Sequence, residues 1–448
     1  MKASIVVGSG LTGCMLARCL IERGGRVILI DAATTPGGLL GSAAGPRGLP
    51  VDYGAHYVLD TGPQRLVDYT LEVMREEDWV KFTGNLPEES FYRGVLDRES
   101  GCLDATLLEE DRLWQGVRET LERVETKTDG AETLEQVLLQ RLGPTITTDV
   151  YAPLMKKIFG TQLADLGPSA MKTIVPMRIR LFERELAKAL KTIPKLDDVL
   201  AYAKRWDHPS DIAKYYPRRG GVGRWVTDFL DRLRDLGVEV RLGESVAGFE
   251  FEGKRISSCR LTGGETVSVE SLYWTGSSAA VAKSLSVPLS TDTPPPVFRD
   301  LFLVHFAYRG EAATTAHYIY NYDPELLPYR VTLYSNISDE IRSNDVVHGT
   351  AECLIAPTDE DPIPQAVTDA VRAMGLFEKP IEILETTTYR RPRAMIVPDR
   401  FLYDRAARLS EAIQSRCENC VLVGTARAPM FGQTAILDDV ASVLELQA

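Results

Sequence analysis

The stretch from Ile5 to Asp31 constrains the fold of this chain more than any other part of the sequence. It consists of an apolar run, a glycine-rich turn, a helix-like segment and a second apolar run that ends in one acidic residue. The turn reads Gly-Ser-Gly-Leu-Thr-Gly at Gly8–Gly13, and the apolar residues after it recur at helical spacing. An apolar strand that enters a helix through such a turn predicts a βαβ unit. We therefore expect an α/β fold.

The three glycines of this turn are those that a dinucleotide-binding unit needs. Gly8 permits the tight turn, Gly10 lets a pyrophosphate approach the backbone, and Gly13 lets the helix pack close to the strand. The amides of Leu11 and Thr12 open the helix and would face the phosphates. The turn therefore predicts a phosphate-binding site at the start of the first helix.

Asp31 ends the second strand of this unit. A carboxylate there can accept hydrogen bonds from both ribose hydroxyls of an adenosine, and it would repel a 2′-phosphate. A GxGxxG motif alone is a weak signal, but here the strand, the helix and the acid about 20 residues on all stand where the mechanism needs them. The unit predicts a bound dinucleotide and does not separate NAD from FAD.

Length and composition narrow the class of protein. A chain of 448 residues is too long for one compact core, so we expect at least two domains. The net charge of −12 argues against nucleic acid or an anionic membrane surface as the main partner. We expect no membrane span and no signal peptide, because the sequence has no run of about 18 apolar residues and no charged leader. The seven cysteines lack a framework spacing and the histidines lack metal spacing, so we expect a cytoplasmic protein without a metal site.

The nucleotide-binding pattern occurs in three separate pieces of the chain. After the first piece, a helix-like segment followed by strands recurs in the middle, and a strand, a glycine-rich loop and a helix close the sequence. We expect one discontinuous cofactor domain from residues 1–80, 210–290 and 396–448. Residues 81–209 are expected to form a largely helical insertion, and residues 291–395 a mixed α+β substrate region.

Four stretches resemble the flavoprotein superfamily that includes monoamine and polyamine oxidases, protoporphyrinogen oxidase, phytoene desaturases and, more distantly, UDP-galactopyranose mutase. They are GSGLTG with Asp31, GGLLGS at Gly37–Ser42, DYGAHYV at Asp52–Val58 and VLVGTARAPMFGQTAILDDV at Val421–Val440. The resemblance implies a Rossmann-like domain that binds FAD rather than NAD. No cysteine occupies the position from which monoamine oxidases tether their flavin, so the resemblance implies non-covalent FAD.

The resemblance also implies a place along the cofactor for each of these stretches. The backbone of Val246 would bind adenine, and the amides at Thr434 and Ala435 would stabilise negative charge on the reduced flavin. Besides the first turn and Asp31, the residues implied to bind the cofactor are Gly38, Leu39, Ser42, Gly54, Ala55, His56, Val246, Gly424, Thr434 and Ala435.

Three residues are candidates for the chemistry. His56 could donate a hydrogen bond to the flavin or shuttle a proton, or it could be a structural histidine that holds its loop. Arg330 and Tyr334, together with Asn336, are predicted to share one face of a strand by their spacing of two, as a substrate wall or as exposed strand decoration. We expect His56, Arg330 and Tyr334 to be the catalytic residues.

Two arginines alternate with apolar residues in the stretch VPMRIRLF. Arg178 and Arg180 could clamp an anionic group such as a diphosphate or a carboxylate, or they could lie on a solvated face. Together with Arg330 they are the predicted substrate-binding residues.

Three functions are compatible with these observations. The favoured one is an FAD-dependent oxidoreductase that takes a hydride from a small-molecule substrate to flavin N5, with dioxygen or another acceptor reoxidising the flavin. The alternative is a redox-neutral flavin-dependent mutase or isomerase of a nucleotide sugar, for which the arginines would be required. A non-catalytic flavin-binding protein is the third. The sequence leaves a homo-oligomer open.

Overall fold

The computed structural model describes residues 2–54, 56–124, 130–173, 176, 178–202, 210–289, 292–341, 345–377 and 382–446. Ala55, one of the predicted cofactor residues, lies outside the described residues. The strands are β1 (Ala3–Val7), β2 (Arg26–Asp31), β3 (Ser42–Ala44), β4 (Pro50–Asp52), β5 (Val58–Leu59), β6 (Trp79–Phe82), β7 (Glu88–Tyr92), β8 (Val95–Asp97), β9 (Leu103–Asp104), β10 (Ile179–Arg180), β11 (Lys214–Pro217), β12 (Glu239–Leu242), β13 (Val246–Glu252), β14 (Arg255–Leu261), β15 (Thr266–Trp274), β16 (Phe298–Arg309), β17 (Tyr318–Asn321), β18 (Arg330–Leu333), β19 (Val346–Ile355), β20 (Glu382–Ile396) and β21 (Cys420–Leu422).

The α-helices alternate with these strands in the first and last parts of the chain and cluster between β9 and β11. They are α1 (Leu11–Glu22), α2 (Gln64–Leu71), α3 (Glu110–Glu122), α4 (Leu134–Leu142), α5 (Pro144–Ile146), α6 (Ala152–Phe159), α7 (Arg184–Leu190), α8 (Pro194–Asp197), α9 (Gly221–Asp235), α10 (Ser278–Ser284), α11 (Pro364–Ala373), α12 (Leu402–Arg416) and α13 (Gln433–Val443).

A seven-stranded sheet carries the glycine-rich turn. Its order is β12-β2-β1-β15-β14-β13, with β21 also paired to β15. The pairs among β12, β2, β1, β15 and β21 are parallel. Helices α1, α9 and α13 cover one face and α10 and α12 the other, so the central strands are apolar on both sides. Three separate stretches of the chain therefore build one Rossmann-like sheet, as the sequence predicts.

A second seven-stranded sheet, in the order β20-β16-β19-β18-β17-β7-β8, contains the strands of the predicted substrate region and is called the substrate sheet below. Side chains alternate between its two faces. One face is apolar and packs under α11. The other face carries Leu301 and Leu303, which pack against Tyr53 of the cofactor domain. This second face therefore lies against the cofactor loops.

The helical insertion has a core of its own, in which helices α3 to α8 pack around side chains such as Leu138, Tyr151 and Phe159. Its start differs from the predicted boundary at residue 81, because residues 88–97 form β7 and β8 and join the substrate sheet. We keep the three-part division of the chain as a proposal, with residues 88–97 moved to the substrate region.

A second difference concerns the strand that was expected to run through Asn336. The strand β18 ends at Leu333, and Tyr334–Asn336 form a 3-10 turn. The Asn336 side chain donates a hydrogen bond of 2.7 Å to the carbonyl of Ala316, which favours the turn over a continued strand. The prediction that Arg330, Tyr334 and Asn336 share one face of a strand is therefore wrong.

Candidate functional site

The carboxyl ends of the parallel strands meet at the glycine-rich turn. Gly8 has a positive φ of 110°, and a Cβ atom there would lie 2.3 Å from Oγ1 of Thr275, at the end of β15. A Cβ atom on Gly13 would lie 1.8 Å from the carbonyl oxygen of Gly8. A Cβ atom on Gly10 would meet nothing closer than the Gly37 carbonyl at 3.9 Å. The packing of the protein itself thus requires glycine at Gly8 and Gly13, whereas Gly10 leaves space for a ligand.

Asp31 lies beside the same turn at the end of β2. Its carboxylate accepts hydrogen bonds from the Ser9 amide at 2.7 Å and the Ser9 hydroxyl at 2.6 Å. The other oxygen accepts from the amide of Ala33 at 2.9 Å. The side chain is held at the edge of the sheet and is partly exposed, where a ribose would reach it.

The last strand brings the end of the chain to this edge. Gly424 follows β21 with a positive φ of 63°, and a Cβ atom there would lie 2.7 Å from Oγ1 of Thr12. Its amide donates to the buried carboxylate of Asp439 at 2.7 Å. The next helix, α13, begins with Gln433, whose side-chain amide donates to the Leu59 carbonyl at 2.6 Å. The turn, the terminal loop and the start of α13 therefore form one backbone-lined edge.

Three other predicted cofactor residues lie around this edge. Thr434 and Ala435 are partly exposed in the first turn of α13. Val246 opens β13, which is an edge strand of the sheet, so part of its backbone is available to a ligand. These positions are compatible with the predicted roles along a dinucleotide.

The loop Gly37–Ser42 lies between the cofactor sheet and the substrate sheet. The carbonyl of Gly38 accepts a hydrogen bond from Arg391 of β20 at 2.9 Å, and the Leu39 side chain is exposed. The Ser42 hydroxyl, which was expected near the phosphates, donates to the carboxylate of Asp52 and accepts from the amide of Gly223 at 2.8 Å. Ser42 therefore holds the loop in place.

Asp52 is a buried acidic residue beside this loop that the sequence analysis did not single out. It is fully buried, and its carboxylate accepts further hydrogen bonds from the hydroxyl of Tyr216 at 2.6 Å and the amide of Val222 at 2.9 Å. Burial raises the pKa of Asp52 to about 6, although these hydrogen bonds oppose the shift. The feature of the sequence that could have pointed to Asp52 is a single acidic residue between an apolar strand and the Tyr-Gly pair that follows it.

Gly54 and His56 lie between β4 and β5, beside the second seven-stranded sheet. A Cβ atom on Gly54, where φ is 117°, would lie 3.2 Å from Nη2 of Arg330, 3.2 Å from Oε2 of Glu352 and 3.4 Å from the His56 ring. The structure therefore brings Gly54, His56 and Arg330 close together. Glu352 was not predicted.

Arg330 and Glu352 form a bidentate ion pair inside the protein. The guanidinium donates from Nε to Oε1 at 2.7 Å and from Nη2 to Oε2 at 2.8 Å, and Tyr329 donates to the same Oε2 at 2.8 Å. The Glu352 side chain is 0% exposed. Arg330 lowers the pKa of Glu352 against the opposing effect of burial. A lone acid in the apolar strand around Glu352 is the sequence signal that could have found this pair.

The pairing of residues across neighbouring strands extends this ion pair into a polar row. The row lies on the face of the substrate sheet that packs against the cofactor loops. Glu352, Arg330 and Tyr320 lie opposite one another on β19, β18 and β17. In the neighbouring row Tyr318 donates to Glu88 of β7 at 2.7 Å. Burial raises the pKa of the Glu88 carboxyl. The polar residues of these two rows, called the polar wall below, therefore include tyrosines, the carboxyl groups of Glu352 and Glu88, and Arg330, which already has a partner.

His56 is enclosed by this wall yet keeps some accessible surface. Its Nδ1 lies 3.1 Å from the Gly54 carbonyl, which can only accept, so Nδ1 carries the proton and Nε2 offers a lone pair. Burial, together with the charge of Arg330, lowers the pKa of His56 to about 4. The imidazole is therefore neutral at neutral pH and able to accept a proton or a hydrogen bond.

Tyr334 does not lie in this wall. Its side chain is 0% exposed, and its hydroxyl lies 3.2 Å from both the amide and the carbonyl of Asp52. The expected catalytic role has no support in this geometry, because the hydroxyl is used to hold the backbone of β4. We assign Tyr334 a structural role.

The other two predicted substrate-binding arginines are bound to acidic residues. Arg178 is exposed and donates to the carbonyl of Asp197 at 2.7 Å. Arg180 pairs with Asp104 at 3.2 Å and with Asp97 at 3.4 Å. No contact joins either arginine to Arg330 among the hydrogen bonds and ion pairs of the described residues.

Two features are absent from the described ranges of the chain. These ranges contain no group of three or more His, Cys, Asp or Glu side chains placed to hold a metal ion. They also contain no helix that is both long enough and apolar enough to cross a membrane.

The comparisons with known proteins agree with this geometry. Residues 6–70 match the model of the NAD(P)-binding Rossmann-like domain. No curated protein matches the chain by sequence. Among solved structures, reduced UDP-galactopyranose mutase superposes with a TM-score of 0.77 at 16% identity and covers 100% of this chain and 94% of its own.

Two oxidase structures also superpose over nearly the whole chain. A protoporphyrinogen oxidase-like protein from Exiguobacterium sp. has a TM-score of 0.69 at 16% identity and covers 99% of this chain and 98% of its own. A cofactor-binding variant of putrescine oxidase has a TM-score of 0.58 at 12% identity and covers 98% and 96%. The chain thus carries a segment similar to NAD(P)-binding Rossmann-like domains and has the fold shared by UDP-galactopyranose mutase, a protoporphyrinogen oxidase-like protein and putrescine oxidase.

Proposed function

We propose that this protein is an FAD-dependent oxidoreductase of a small-molecule substrate. The observation that carries the proposal is that one stretch of chain reaches both sides of the candidate site. Gly54 lies beside Arg330 and Glu352 of the polar wall. Further along the same stretch, Leu59 and Thr61 hydrogen-bond to Gln433 and Thr434 at the start of α13. The residues that would hold non-covalent FAD are Gly8–Gly13, Asp31, Gly37–Ser42, Gly54 to His56, Val246, Gly424, Thr434 and Ala435.

The backbone of this chain offers the space and the amide groups that this cofactor needs. Gly10 leaves the space that a pyrophosphate needs, and α1 and α13 both begin at the same edge with free amides. When bound, FAD supplies the hydride acceptor N5. The amides of Thr434 and Ala435 would stabilise negative charge at the end of the cofactor that is reduced.

The substrate side offers a proton acceptor and a fixed polar wall. His56 would accept a proton at Nε2 from the heteroatom of the substrate, because this nitrogen is unprotonated and partly accessible. The Arg330–Glu352 pair would orient the substrate without a net charge of its own. We therefore keep His56 as the proposed catalytic base and Arg330 as an orienting residue.

The arginines favour the oxidoreductase over the mutase. A nucleotide-sugar mutase needs cations for a diphosphate, but Arg330, Arg180 and Arg178 are all paired with acidic residues. The superposition on UDP-galactopyranose mutase keeps that activity as the second candidate.

An anaerobic titration separates the candidates. The purified protein is titrated with amines, cyclic biosynthetic intermediates and UDP-sugars while the flavin absorbance is followed, and acid precipitation tests whether intact FAD is released. Loss of the oxidised flavin band on addition of a substrate supports the oxidoreductase. Turnover of a UDP-sugar only after dithionite reduction supports the mutase, and bound flavin without any turnover supports a binding protein.

A further inference from the structure

One buried carboxylate holds three segments of the cofactor domain together. Asp52, at the end of β4, is 0% exposed. It accepts from Ser42 of the Gly37–Ser42 loop, from Tyr216 of β11 at 2.6 Å and from the Val222 amide of α9 at 2.9 Å. Ser42, Tyr216 and Val222 lie 10, 164 and 170 residues from Asp52 along the chain.

The carboxylate lies at the N-terminus of the 15-residue helix α9. It satisfies the amide of Val222, and the Ser42 hydroxyl satisfies the next amide, that of Gly223, at 2.8 Å. The approach is so close that a Cβ atom on Gly221 would lie 2.5 Å from Asp52 Oδ1. The start of α9 is therefore built around this carboxylate.

The loop that Asp52 anchors passes between α9 and the substrate sheet. At its start, a Cβ atom on Gly37 would lie 3.1 Å from Val226 of α9. At its end, Ser42 is tied to Asp52, and the Gly41 carbonyl accepts from the amide of Tyr53 at 3.2 Å. Both ends of the loop are thus set by elements that Asp52 connects.

We propose that Asp52 is a positioning residue for the flavin half of the cofactor site, because it holds the loop Gly37–Ser42 against α9 in the shape that receives the cofactor. The inference rests on the proposed FAD function. The adenosine half should depend on Asp52 much less, since in the described part of the chain no hydrogen bond joins Gly8–Gly13 or Asp31 to Asp52, Ser42 or Tyr216.

This difference gives a test that a general loss of stability would not reproduce. Asp52→Asn keeps the size of the side chain but replaces one acceptor oxygen by a donor, so three donors compete for one oxygen. We expect the Kd of FAD, measured by quenching of flavin fluorescence, to rise about tenfold or more, since hydrogen bonds to a charged group are lost. The Kd of ADP, measured by calorimetry, should stay within about twofold.

A second substitution with a smaller expected effect, and a control substitution, support the test. Tyr216→Phe removes one hydrogen bond from Asp52 and should weaken FAD binding by about threefold to tenfold, again without an effect on ADP. It also carries the test if Asp52→Asn does not fold. The matched control is Asp231→Asn, which changes a carboxyl on the same helix α9 that is 63% exposed. This control should bind both ligands as the wild type does.

Two results would overturn the inference. One is an unchanged FAD affinity in Asp52→Asn and Tyr216→Phe, and the other is an equal loss of FAD and ADP affinity. Failure of the proposed function is distinguishable, because the wild-type protein would then bind ADP but no FAD.

Discussion

The two walls of the candidate site are built from different parts of the polypeptide. The cofactor edge is made of backbone, with glycines at Gly8, Gly10 and Gly13 and helix starts at α1 and α13. The substrate wall is made of side chains that strand register brings together, above all Glu352, Arg330 and Tyr320 on three adjacent strands. The cofactor edge has no room for a side chain at Gly8 or Gly13. The substrate wall depends instead on the pairing of its side chains with one another.

This difference predicts different sensitivities to substitution. A backbone wall fails where an added Cβ atom would meet another part of the backbone, whereas a side-chain wall fails when one partner of a pair is lost. Four substitutions test the contrast, from the largest expected effect to the smallest.

Gly13→Ala should have the largest effect. The new Cβ atom would lie 1.8 Å from the Gly8 carbonyl oxygen, and neither backbone segment can move without disturbing β1 or α1. We expect the free energy of unfolding, measured by urea denaturation, to fall by more than about 4 kcal/mol. Gly10→Ala is the control and should keep wild-type stability, because its nearest contact is at 3.9 Å. A loss below about 1 kcal/mol for Gly13→Ala would contradict the close packing.

Glu352→Gln tests the side-chain wall. The substitution leaves the Arg330 guanidinium inside the protein without its bidentate partner. We expect the free energy of unfolding to fall by about 3–5 kcal/mol. Glu382→Gln, which breaks an ion pair with Arg309 on the same sheet in which both side chains are 67% exposed, should change it by less than about 1 kcal/mol. Equal effects of the two substitutions would show that burial of the first pair does not matter.

Gly10→Val separates cofactor binding from folding. Gly10 has φ −77° and ψ −176°, which valine adopts readily, and the side chain would enter the space assigned to the pyrophosphate. We expect FAD affinity to fall about 100-fold, equivalent to about 2.7 kcal/mol, with an unchanged thermal midpoint. Full FAD occupancy in the folded variant would place the cofactor elsewhere.

Arg178→Ala should have the smallest effect. The side chain is exposed and pairs with Asp197 at 3.3 Å, so its loss should change the free energy of unfolding by less than about 1 kcal/mol. Any perturbation of the flavin spectrum by UDP-sugars should also be unchanged. A weakening of about tenfold would instead point to a diphosphate at Arg178 and strengthen the mutase as a candidate.

The same contrast explains which predictions from the sequence could succeed. The turn Gly8–Gly13, its strand and its helix are local, so spacing alone predicted the Rossmann-like fold, and the structure confirms it. His56 and Arg330 were singled out individually, and the structure brings both beside Gly54. Tyr334 was misplaced, because a 3-10 turn after Leu333 ended the strand on which its spacing was counted.

By itself, the sequence determined the dinucleotide-binding unit, since its glycines, helix start and Asp31 act through backbone geometry within one short segment. Only the tertiary structure decided which charges have partners. Glu352 meets Arg330 across 22 residues, Glu88 meets Tyr318 across 230 residues, and Asp52 meets Tyr216 across 164 residues. Such pairs depend on strand register and helix docking, which single-sequence periodicity does not contain. The physical reason is that backbone geometry depends on residues close together in the sequence. The electrostatic environment of a side chain depends instead on which distant residues the fold brings into contact with it.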